Sequence, residues 1–344
     1  MIPYIIIYSF SLILLISSYL DRKNTKLYYI IFLYFLILFA GLRYNIGVDY
    51  QSYIDFFNLI LSGQDIYMED SFILLVKFIN FIGGTEQLLF FIYAFLTITF
   101  TSKFIEYFSQ NKVLSLYIYF TFAVFYFASF NGVRQALAVA IFVYSIKFII
   151  EKNLLKYILF IVIATFIHKT AILMLPLYFI LNKKLNIMKF FFIALGYYVI
   201  LQFFEQLILF IGISQAYLNN FDSIEGNGIN PFVYLLCLMF IFLYKVDFQY
   251  KVLGLNLIFF AILLGITPLL TTIPSTYIVR MTSYFTFGIL FILPNLMIVF
   301  NNKNLKNIYF FTLIVFGGLY MFRNIYFLGE RYLLVPYQIN LNLF

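Results

Sequence analysis

The stretch Val133-Arg134-Gln135-Ala136-Leu137-Ala138-Val139-Ala140-Ile141-Phe142-Val143-Tyr144-Ser145-Ile146-Lys147-Phe148-Ile149-Ile150 decides the fold class. A helix needs about 20 mostly apolar residues to cross a bilayer, and this run comes close to that length. Gly132, Ala136, Ala138 and Ala140 supply small side chains that let a second helix approach closely. An arginine at the centre of a span costs about 2.5–3.5 kcal/mol. Arg134, one turn in, therefore needs a cavity, a partner or an anion. The whole chain shares this character: of its 344 residues, 64% are hydrophobic and 10% charged. A soluble domain is nearer half apolar and about a quarter charged. That balance excludes a cytosolic enzyme, a secreted domain and a disordered chain. A single Cys excludes a disulfide framework, and one Cys with one His excludes a His/Cys metal cluster.

Working outward, twelve segments read as spans: Ile2–Tyr19, Leu27–Leu42, Gln87–Tyr107, Val113–Phe130, Val133–Ile150, Tyr157–Ile167, Thr170–Leu181, Phe190–Gly212, Pro231–Tyr244, Leu253–Leu270, Tyr277–Phe300 and Ile308–Phe322. The expectation is an all-α polytopic membrane protein, one integral membrane domain over 1–344. The sixth and seventh segments are short, and their hairpin is expected to stop below the far surface. With the N-terminus outside, 15 of the 22 basic residues fall in inner loops, which places both termini outside. The net charge of +8 is thus a topology signal, and no nucleic acid is expected.

The kind of base is more telling than the count. Nearly all lysines are on the inner side, whereas Arg43, Arg134, Arg280, Arg323 and Arg331 are on the outer side. Arginine stays ionised in a dry site and grips phosphate or carboxylate with a planar fork. Five arginines at one face point to an anionic ligand. The competing reading pairs them with outer carboxylates or lipid phosphates.

The outer loop 43–86 holds an amphipathic helix starting near Asp49, with Asp49, Ser52, Tyr53 and Phe56 on one face. Gly47 permits the turn that leads into it. Asp49 either caps that helix or serves as a base. Asp55, Asp65, Glu69 and Asp70 read as solvated loop charges. Ser71–Ile82 is apolar but too short to span, so it lies in the interface or re-enters. Asn131, Arg134 and Gln135 share a face at helix spacing. His168 sits at the turn of the short hairpin, where it is either a structural residue or a general base. Thr276, Arg280 and Tyr284 share another face, and Glu205 is an acid inside the eighth span. The tail 323–344 is placed in the outer interface.

Four motifs carry a family likeness: Arg43…Gly47-Val48-Asp49-Tyr50…Tyr53, Asn131-Gly132-Val133-Arg134-Gln135-Ala136-Leu137-Ala138, Phe166-Ile167-His168-Lys169-Thr170-Ala171, and Arg280 before Tyr284-Phe285. With Val335-Pro336-Tyr337, they make the chain resemble the EpsG family and the related Wzy-type O-antigen polymerases. The resemblance implies a polytopic, GT-C-like glycosyltransferase at the outer face of the bacterial inner membrane. Its substrate would be an oligosaccharide repeat unit on undecaprenyl diphosphate, joined into O-antigen or another exopolysaccharide. The family's functional residues would fall on Arg43, Asp49, Arg134, His168 and Arg280.

Combining both readings, His168 and Asp49 are the candidate catalytic groups. Arg43, Arg134, Arg280, Arg323 and Arg331 are candidates for the diphosphate. Tyr50, Tyr53, Asn131, Gln135 and Tyr284 are candidates for the glycan. No cofactor and no metal are expected. Membrane lipid and a chain-length regulator protein are the further candidate partners. The rival from another class is a flippase or transporter of the same lipid-linked sugar. It is disfavoured because the charges gather at one face and no inverted repeat is visible.

Overall fold

The computed structural model describes residues 1–66, 68–203, 231–270 and 275–344. Glu205 lies outside the described residues. The described chain is helical apart from turns and one short two-stranded pairing. Six stretches are long and apolar enough to cross a membrane: Ile2–Leu20, Arg22–Gly41, Glu86–Phe108, Val133–Ile150, Arg280–Val299 and Lys303–Leu328. Five shorter apolar helices accompany them, including Leu154–Ile167 and Ile187–Gln202. Large apolar side chains stand exposed on outer helices, among them Ile6, Ile13, Phe311 and Leu319. Water would not tolerate that surface, whereas lipid tails solvate it. The protein is membrane-embedded.

Hydropathy shows no break along 1–344, but packing groups the helices into two compact units, Met1–Tyr178 with Ile289–Phe344, and Phe179–Gly288. Both units are equally apolar, so composition carries no trace of the division. In the first unit, α1 (Ile2–Leu20) and α2 (Thr25–Gly41) form a hairpin. Asp21 closes it by accepting from the main-chain N–H of Lys23 and Asn24. Two amphipathic helices follow, α3 (Tyr50–Leu61) and α4 (Asp70–Phe81). The centre of the unit is α5 (Glu86–Phe108), packed on α2 and on α7 (Val133–Ile150). Ala138 and Ala140 are fully buried in α7, as the small-residue reading requires.

The expected fourth span is shorter than a span. Helix α6 (Lys112–Thr121) stops halfway, and the chain continues through turns into a 3-10 turn at Ala128–Phe130. The cause is a run of aromatic wedges. Phe122, Phe125, Tyr126, Phe127 and Phe130 are all buried, and the Tyr126 hydroxyl donates to the Leu36 carbonyl at 2.7 Å. Irregular backbone is tolerated at this depth only where protein encloses it. The short hairpin consists of α8 (Leu154–Ile167) and a 3-10 segment, Lys169–Phe179, that contains Pro176. The tail returns to the turn after α2. Arg43 pairs antiparallel with Ile339 and Tyr44 with Gln338, and the Tyr4 hydroxyl donates to Leu334 O. The N-terminal helix start and the tail therefore lie at the same end as His168 and Arg134.

The second unit contains α9 (Ile187–Gln202), α10 (Pro231–Lys245), α11 (Lys251–Leu270) and α12 (Ser275–Thr286). Buried Asn256 donates to the carbonyls of Leu181 and Lys183, which ties the entering chain to α11. The expected eleventh span breaks at Phe287-Gly288 between α12 and α13 (Ile289–Asn295).

The last long helix, α14 (Lys303–Leu328), meets α1 and α6 through paired glycines. A Cβ on Gly317 would come within 2.7 Å of Thr121 Oγ1, and one on Gly318 would strike the Tyr8 hydroxyl. By contrast, a Cβ on Gly196 meets nothing within 4 Å. Overpacking of this kind costs about 1–3 kcal/mol. Gly318→Leu is expected to lower the yield of monodisperse protein in size-exclusion chromatography, while Gly196→Leu leaves it unchanged.

Candidate functional site

The turn after α2 is built on one buried arginine. Arg43 is 1% exposed, and its Nη1 donates to Ala40 O at 2.6 Å and its Nη2 to Phe130 O at 3.2 Å. Its guanidinium lies 4.7 Å from the Phe130 ring centre and 5.2 Å from that of Phe90. Burial pulls its pKa down to about 10, so it remains charged at neutral pH. Gly47 follows with φ of +104°, where a Cβ would meet Phe130 O at 2.7 Å. Asn131 Oδ1 accepts from Val48 N at 2.7 Å, and Leu333 O accepts from Gly47 N at 3.1 Å.

The second focus is a carboxylate that reads from sequence as a solvated loop charge. Glu69 is the N-cap residue of α4, yet its side chain makes no capping bond. Its Oε2 instead accepts from Arg134 Nη1, and its Oε1 lies 3.1 Å from His168 Nδ1. The three side chains are 12–19% exposed. The guanidinium of Arg134 also faces the rings of Tyr53 and Phe72 at 5.8 and 5.7 Å. His168 ends α8 in an extended conformation, φ −152° and ψ 115°, at the hairpin turn anticipated for it. Glu69 belongs to no motif. Its partners are 65 and 99 residues away, so only the tertiary contacts single it out.

The other candidates fall into three groups. Tyr50 and Tyr53 are buried: the Tyr50 hydroxyl donates to Gln87 Oε1, and its ring stacks on Phe90 at 4.2 Å. The buried face of α3 is thus Tyr50, Tyr53, Phe57 and Ile60, with Ser52 exposed. Asp49 is the N-cap residue of α3 but makes no side-chain capping bond. Gln135 sits half-buried beside Gly132, while Arg323 and Arg331 are exposed. Arg280, half-buried, and Tyr284, fully buried, belong to the second unit. Among the described residues, no three His, Cys, Asp or Glu gather as a metal cluster.

The Arg43 and Arg134 motifs and the tail are therefore joined within the first unit, and Glu69 links Arg134 to His168 of a third motif. The EpsG family model matches residues 26–339, nearly the whole chain. The chain belongs to the EpsG family. EpsG-type proteins are Wzy-like polymerases, so membership points to a role in polysaccharide polymerisation. No curated protein and no solved structure matches the chain. Within this EpsG-family member, the Arg43 knot makes a clear prediction. Arg43→Met leaves two carbonyls without their charged donor, each such bond being worth about 1.5–3 kcal/mol. The variant is expected to melt earlier in detergent than wild type, as read by a thermal shift.

Proposed function

We propose that this EpsG-family protein polymerises oligosaccharide repeat units carried on undecaprenyl diphosphate. The observation that carries the reading is the imidazole of His168 held against the Glu69 carboxylate, with Arg134 at its other oxygen. A base oriented by an acid, beside a cation, suits glycosyl transfer from a diphosphate. His168 takes the proton of an acceptor hydroxyl on one lipid-linked unit. The hydroxyl oxygen forms the new bond to the anomeric carbon of the growing glycan. The old bond to the lipid diphosphate breaks, and the electron pair leaves with the phosphate.

The guanidinium of Arg134, 18% exposed, is the cation beside this pair. Exposed Arg323 and Arg331 stand as further cations for a diphosphate or lipid headgroups. The resemblance also counts Arg280 of the second unit among the functional residues. Asp49 is the alternative base.

The test is chain extension by purified protein in liposomes loaded with the lipid-linked unit. The polymerase reading expects products of two or more units. A flippase would move the lipid across the bilayer without lengthening the glycan. His168→Ala is expected to lower turnover about 10²–10⁴-fold with lipid-diphosphate binding nearly intact. Full activity in that variant passes the base role to Asp49. Extension is expected to persist in EDTA. Abolition by EDTA and rescue by Mg²⁺ would instead make the outer-loop acids, led by Asp49, metal ligands.

A further inference from the structure

We infer that Glu69 is a positioning residue for His168, and that Arg134 serves Glu69 before it serves any ligand. The inference deepens the polymerase reading and rests on it for its chemistry. Glu69 stands where a side chain would cap α4, a contribution of about 1 kcal/mol, but its oxygens turn away from the helix. A carboxylate only 12% exposed loses much of its hydration, and α4 itself draws nothing from that. Both oxygens are committed to different elements: Oε2 to Arg134 at the start of α7, and Oε1 to His168 at the end of α8. Losing either contact would leave the carboxylate partly uncompensated.

The consequence for the imidazole follows from donor rules. An ionised carboxylate only accepts, so Nδ1 must carry the proton shared with Glu69. In the neutral ring the lone pair then lies on Nε2, the nitrogen that receives a proton. The same bond fixes the plane of the ring. The Arg134 guanidinium anchors the far oxygen of Glu69, so the cation acts on the base at second hand. The titratable and charged groups on the surrounding elements include Tyr50 on α3, Glu86 and Tyr93 on α5, Tyr144 and Lys147 on α7, Lys156 and Tyr157 on α8, and Glu69 and Asp70 at the start of α4 with Lys77 within it. Asp49, Tyr53 and Asp55 lie on or beside α3, Arg134 opens α7, and Lys169 follows His168. Of these, Glu69 touches the imidazole and Arg134 touches Glu69.

His168 is the only histidine in the chain, which makes a direct measurement possible. Protein carrying ¹⁵N-histidine and no histidine tag gives one imidazole signal pair in detergent. Wild type is expected to show protonated Nδ1 and bare Nε2 above the titration. Removing the carboxylate in Glu69→Gln takes away a stabiliser of the imidazolium and moves the midpoint to lower pH. Removing the cation in Arg134→Gln moves it to higher pH, each by about one unit or more. The acid limb of the chain-extension rate is expected to move in the same two directions. In a His168→Ala background, Glu69→Gln is expected to cause no further loss of rate.

A wild-type ring protonated on Nε2 would overturn the inference, and that measurement needs no variant to fold. Midpoints unchanged in both variants would also overturn it, leaving a structural ion pair. If the tautomer and shifts appear but His168→Ala extends chains at full rate, the positioning stands and the base assignment falls.

Discussion

A buried polar knot at the end of α2 is the constraint on which the rest of the first unit depends. Arg43 contributes both main-chain and side-chain groups to it: its backbone pairs with Ile339, its guanidinium binds Ala40 O and Phe130 O, and its carbonyl accepts from Gln87. Gln87 also donates to Gly41 O at 2.8 Å and accepts from the Tyr50 hydroxyl. Four elements that leave the helical pattern meet there: the end of α2, the start of α3, the irregular 122–130 segment and the tail. In an apolar interior each of these polar groups would cost several kcal/mol if left bare. The knot is therefore nearly all-or-none, and it sets where α3, α5 and α7 begin.

The candidate site inherits its geometry from that frame. Once α7 starts at Val133 and α4 packs on α5 and α8, Arg134 and His168 are left on either side of Glu69. The surroundings of the triad are low in water, so each charge is felt strongly by the others. An exposed pair of the same composition would be weak and screened by salt. Here the carboxylate carries information from one helix terminus to another. That is why a residue with no motif of its own sits at the centre of the proposed chemistry.

Four of the arginines divide by environment. Arg43 is enclosed by backbone carbonyls and aromatic rings, which is a structural position for a guanidinium. Arg134 is ion-paired to Glu69, so the competing reading of carboxylate pairing applies to it. Arg323 and Arg331 are exposed. One residue type thus occupies three physical environments, and burial sorts them.

By itself the sequence determined the membrane character, most helix positions, the turn at Gly47, the short hairpin that turns at His168 and the family. These follow from composition and from local periods, which a linear chain displays directly. Motif order also pointed to Arg134 and His168. Only the tertiary structure decided that α6 ends at Thr121, because the aromatic wedges of 122–130 look as apolar as a span until their partners are known. It alone withdrew Tyr50 from the surface and moved Glu69 from the solvent to the side of His168. Both turn on burial and on contacts 37 to 99 residues apart, and such contacts leave no period or spacing in the chain that makes them.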